Sequence, residues 1–136
     1  MNSELIRYRL QQAEESLSEA ELLFSAGKYR GAINRGYYAL FYSVLALLLE
    51  AGKSSSKHSG VISLFDEHFV KNGIFSKEMS RALHQAFELR LLSDYRELVK
   101  FDRKEVQELI KSAKDFTGKV REYFEGRGIK LKRTRT

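Results

Sequence analysis

Apolar positions recur along the chain at spacings of three and four residues and nowhere alternate as a strand would, so the pattern predicts helices throughout. In the first segment Ile6, Leu10, Ala13, Leu17, Ala20 and Phe24 form a narrow seam, with Glu14, Glu15, Ser18, Glu19 and Glu21 between them. Gly27 is the expected stop, because a left-handed residue after a last turn is easiest for glycine. A second helix is then expected from near Lys28 to about Ala51, ending at Gly52, and the short link predicts an antiparallel hairpin. Residues 34–49 are its centre. Tyr37, Phe41, Val44 and Leu48 recur at helical spacing while Leu40, Leu45 and Leu47 widen the apolar surface, so other elements must cover this helix on most sides. Gly36 inside it costs about 0.5–1 kcal/mol relative to alanine, which predicts the close approach of another backbone.

Residues 52–57, with Ser54, Ser55 and Ser56, read as a polar loop and are expected to be mobile. From about His58 a short helix is expected to bury Val61, Leu64, Phe65 and Phe69, ending at Asn72 and Gly73, with Ile74 and Phe75 packed back. Ser76 is the expected cap of a fourth helix presenting Met79, Leu83, Ala86, Phe87 and Arg90. Before the last helix Asp102 and Glu105 form a capping box, and Phe101 with Val106 forms its hydrophobic staple. Val106, Leu109, Ile110, Ala113, Phe116, Val120 and Phe124 then keep one face apolar as far as Gly126. The expected architecture is all-α: an antiparallel four-helix up-and-down bundle with one additional short helix over residues 1–126, followed by a basic disordered tail over 127–136.

Composition narrows the functions open to such a bundle. The 136 residues suffice for one domain, the lack of proline favours uninterrupted helices, and the lack of cysteine excludes disulfides and thiolate chemistry. The net charge is +6, of which Arg127, Lys130, Lys132, Arg133 and Arg135 supply five, leaving 6 − 5 = +1 for the rest. The apolar stretch 37–49 is too short for a membrane span and no signal-like run opens the chain, so no membrane partner and a cytoplasmic location are expected.

Two places carry candidate chemistry. Asn34, Tyr38 and Tyr42 follow each other at intervals of four with Arg35 alongside, and this stripe is either the satisfied polar edge of the core or a functional groove. Arg90, Asp94 and Tyr95 gather a guanidinium, a carboxylate and a phenol within six residues. Arg90 and Asp94 stand one turn apart, so they either fix the guanidinium toward a ligand or make an ordinary ion pair. Tyr95 is rotated by roughly 140° from Arg90 on a continuous helix, so the two converge only if the helix ends or bends there. His58 at a helix start is placed either to meet an anion with the free amides or to cap and pack. His58, His68 and His84 lack the spacing of a metal face, and no Gly-rich phosphate loop or Gly-x-Ser-x-Gly occurs, so neither metal nor cofactor is called for.

Three blocks then give the sequence a resemblance: Tyr29-Arg-Gly-Ala-Ile-Asn-Arg-Gly-Tyr-Tyr-Ala-Leu-Phe41, Lys57-His58-Ser59-Gly60-Val61 with Phe65 downstream, and Arg90-Leu-Leu-Ser-Asp94-Tyr95. Together they resemble the HEPN family of small helical nucleotide-binding and RNase domains, in its single-domain prokaryotic branch. The resemblance implies a helical bundle that forms a homodimer, binds nucleotide or RNA, and works as the toxin-type component beside a minimal nucleotidyltransferase antitoxin. Arg90, Asp94 and Tyr95 are expected near Asn34, Arg35 and Tyr38 in one polar cleft close to the dimer axis, with His58 as a further candidate for binding nucleotide or RNA and Arg90 with Tyr95 as the catalytic candidates. Catalytic members place a histidine four to six residues after the arginine, whereas here Tyr95 stands there. Tyrosine, with a pKa near 10, exchanges protons poorly at neutral pH. A metal-independent endoribonuclease and a non-catalytic interaction module are the alternative readings.

Overall fold

The computed structural model describes residues 2–131, and these are helical with no strands. Five helices follow in order: α1 (Ser3–Ser25), α2 (Tyr29–Ala51), α3 (His58–Phe65), α4 (Lys77–Tyr95) and α5 (Arg103–Gly126). A five-residue π-helical turn, Asp66–Val70, continues α3. The expected helical bundle is the observed fold. Its caps follow the sequence: Asn2 Oδ1 accepts from the Leu5 amide, Ser76 Oγ from Met79, and Asp102 Oδ1 from Glu105 at 2.8 Å.

The second helix is the centre of the bundle. It packs most extensively on α1, then on α5 and α4. Twelve of its residues are buried, including Ile33, Tyr37, Leu40, Val44, Leu47 and Leu48 at 0–1% exposure. By length and composition α2 could cross a membrane, but 67% of its most apolar window is buried inside this one chain, as befits a core helix. The other helices of the same chain cover it on most sides, as its apolar width requires. Phe65, Phe116 and Phe124 complete the core from α3 and α5, each contributing about 1.5–3 kcal/mol by leaving water.

Several local expectations are corrected. At Gly36 no second backbone approaches: a Cβ there would meet the Leu109 side chain at 3.5 Å, an ordinary contact. Close approach occurs at Gly60 instead, where the Ser55 side chain of the serine loop occupies the space a Cβ would take, so a residue with a side chain there would have to displace it. Ile74 is 46% exposed, and Phe75 alone packs back, against Phe65, Phe69 and Tyr123. In the π-helical turn, Asp66 accepts from Ser80 Oγ at 2.6 Å and pairs with His84 Nε2 at 2.7 Å, clasping α3 to α4.

The expected tail begins too early. Gly128, at φ +87°, ends α5 in a left-handed cap: the Ile129 amide returns to the Phe124 carbonyl and the Gly128 amide to Glu125. Ile129 is thereby turned inward to 4% exposure, the Lys130 carbonyl accepts from Arg7 Nε, and Arg127 Nε bonds Glu50 Oε2 at 2.5 Å. Residues 127–131 are part of the domain, and the remainder of the basic segment, 132–136, lies outside the described residues.

Candidate functional site

The site forms where α4 crosses the first half of α2, beside the start of α3. Tyr37 is its buried floor at 0% exposure. The Arg90 guanidinium stands over two rings of α2, its Cζ 5.5 Å from the Tyr37 centroid and 5.7 Å from that of Tyr38. Arg35 Cζ lies 5.4 Å from the same Tyr38 ring, and the Tyr42 ring follows Tyr38 at 5.6 Å. The polar stripe of α2 and the arginine of α4 therefore make one surface of alternating cations and aromatic rings.

The two cations differ in how they are engaged. Arg35 is tied to α1, its Nη2 donating to Ser16 Oγ at 2.8 Å and its Nε to Glu19 Oε1 at 3.2 Å. Arg90 Nε lies 2.9 Å from Asp94 Oδ2, yet it is enclosed and its N–H finds no hydrogen-bond acceptor, so the pair is a charge contact off the bonding axis. The Arg90 side chain keeps 17% of its surface open and donates no hydrogen bond to any described residue. A guanidinium held by charge and ring faces retains its donors for an incoming anion.

His58 enters from the first turn of α3. Its ring lies parallel to Phe41, 4.2 Å between centroids at 11°, and its Nδ1 is 2.7 Å from the Tyr37 hydroxyl. Burial pushes the Tyr37 hydroxyl well above the ordinary tyrosine range, against the pull of Arg90, so it stays a donor. It has no other acceptor among the described residues, which assigns the donated proton to Nδ1 and leaves the neutral imidazole its own proton on Nε2. Burial first, and then the charge of Arg90, lower the His58 pKa below its ordinary value, keeping the ring neutral at pH 7.

The structure thus brings together Arg35, Tyr38, His58, Arg90 and Asp94 of the expected residues. Asn34, half-buried one turn before Tyr38, makes no side-chain hydrogen bond among the described residues. Tyr95 is not brought in. It is 75% exposed, because α4 continues unbroken through residue 95 and carries the phenol round to the other side. Tyr37, read from sequence as a core residue, joins the two halves of the site. Among the described residues no group of three or more His, Asp or Glu side chains is placed to hold a metal.

Beside this geometry, the sequence of residues 6–123 matches a HEPN domain. The chain belongs to the HEPN domain family. It is 42% identical over 121 residues to a UPF0332 protein of Thermotoga maritima, covering 89% of this chain and 92% of that one. Two proteins of Methanocaldococcus jannaschii are also similar. "Putative toxin MJ0605" is 36% identical over 87% of each chain, and "Putative toxin MJ0142" is 31% identical over 88% of this chain and 82% of its own.

Proposed function

We propose that this protein is a toxin-type HEPN dimer that binds nucleotide or single-stranded RNA and works with a minimal nucleotidyltransferase partner. The observation that carries the binding role is the contrast at Arg90: a largely enclosed guanidinium, fixed over two tyrosine rings, that donates no hydrogen bond to the described residues. Phosphate is the ligand that matches such a fork, and Tyr38 and Tyr42 offer rings on which a base stacks. The toxin role is supported by the names of the two archaeal relatives. Support for a dimer comes from the exposed apolar side chains of Leu92 and Leu98 around the end of α4, at 37% and 96%. Binding of a fluorescent single-stranded RNA and of ATP, compared between wild type and Arg90→Ala, tests the site. Sedimentation at micromolar concentration tests the dimer. Equal affinity of the two proteins would remove the binding role.

A second reading, a metal-independent endoribonuclease, is favoured by one observation: an imidazole held neutral within the field of Arg90. Such a reaction needs a group that exchanges protons near pH 7, and His58 fills from another helix the role that Tyr95 does not. RNA cleavage by purified protein, lost in both Arg90→Ala and His58→Gln, separates this reading from binding alone.

A further inference from the structure

The end of α4 that carries Arg90 and Asp94 is not held by apolar burial. Leu92, Tyr95 and Leu98 all point to solvent, and of the last turn only Ser93 is buried. What holds it is one side chain of α2. Arg30 Nη1 donates to the Ser93 carbonyl at 2.5 Å, and Nη2 donates to the carbonyls of Arg96, Glu97 and Val99 at 2.9, 2.8 and 2.5 Å. Nη2 has two hydrogens for three oxygens, so one of them is shared. The guanidinium also lies over Phe101, its Cζ 5.4 Å from the centroid. The terminal carbonyls of a helix lack partners within it, and a cation there also suits the negative end of the dipole. Lysine could supply the charge but not a rigid fork that reaches four acceptors in different directions.

The grip passes inward. Ser93, whose carbonyl Arg30 holds, donates its hydroxyl to the Arg90 carbonyl at 2.9 Å. Arg30 is also on the same helix as Tyr37 and Tyr38, the rings over which Arg90 stands. One rigid element therefore carries both the anchor of the α4 end and the surface that its guanidinium faces. We propose that Arg30 is the positioning residue of this site, setting where Arg90 stands over Tyr37 and Tyr38 by fixing the main chain of residues 93–99. The functional consequence rests on the reading of Arg90 as the ligand-binding group.

Arg30→Lys and Arg90→Ala, singly and together, are compared for binding a single-stranded RNA, for amide exchange at residues 93–100, and for the NMR signal of the Arg90 Nε–H. Arg30→Lys is expected to weaken RNA binding about tenfold, to speed exchange in that segment and to shift or broaden the Arg90 signal, with no further loss of binding once Arg90 is alanine. Unchanged binding in Arg30→Lys beside a loss in Arg90→Ala overturns the proposal, as does an equal loss in the Arg90→Ala background, which would mark general destabilisation. RNA binding unaffected by Arg90→Ala sinks the functional reading, and the Arg90 signal then decides alone: unmoved in Arg30→Lys, it overturns the positioning role as well. Should Arg30→Lys unfold, Ser93→Ala, which cuts only the hydroxyl link to the Arg90 carbonyl, is judged by the same signal.

Discussion

Replacing Tyr37 by phenylalanine removes a single oxygen from the centre of the site and leaves the ring in place. The ring is fully buried, and its hydroxyl has one partner, His58 Nδ1 at 2.7 Å. Arg90 keeps its position over an aromatic face, since phenylalanine also attracts a cation. The substitution therefore isolates one hydrogen bond. A neutral bond of this kind is worth about 1 kcal/mol net, and stranding its partner adds up to roughly the same again when that group is only half enclosed, as His58 is. The expected loss is about 1–2 kcal/mol, or roughly 3–8 °C in Tm for a domain of this size. Thermal unfolding at pH 7.5 measures it. A change below about 0.5 kcal/mol would refute the assignment, because a surface substitution does as much.

Three further outcomes are expected. His58 has a folded pKa below the unfolded value of about 6.5, so the unfolded chain binds more protons and Tm should fall as pH drops below about 6.5; His58→Gln should flatten this part of the profile. Tyr95→Phe, at an exposed position, should leave unfolding free energy within about 0.5 kcal/mol of wild type; a larger loss would mean the phenol is buried in solution. Truncation after residue 126 should lower stability by about 1.5–3 kcal/mol through loss of the Ile129 anchor, as denaturant melts of the full and shortened chains would show.

How much was legible depends on what each feature rests on. Helix boundaries were readable because they depend on local chemistry: Ser76, Asp102 and Gly52 act at their ends as their side chains, or lack of one, require. The α5 terminus at Gly126 was readable because periodicity lapses there, but the packing that follows it was not: the chain turns back at the left-handed Gly128, and the apolar Ile129 just after it was the available signal. Within the site, Arg90 and Asp94 could be paired from their spacing, and Tyr95 could be turned away by the same arithmetic once α4 is seen to continue through it. The union of Tyr37 with His58 could not be read, because it depends on how α3 docks against α2 across the serine loop. Arg30 was hidden for a different reason. Its partners are carbonyl oxygens, which every residue has, so nothing in the side-chain sequence of 93–99 points to it.

That same indifference to side chains leaves the segment after α4 open to diversification. Arg96, Glu97 and Leu98 face solvent while their neighbours' and their own backbones are clamped from α2, so exchanging any of the three side chains removes none of the four bonds to Arg30. A lineage can thus rewrite the outward chemistry of this corner, charge for charge or apolar for polar, without having to reinvent its shape. Change of partner and retention of fold are uncoupled there by a contact that reads only the chain's common backbone.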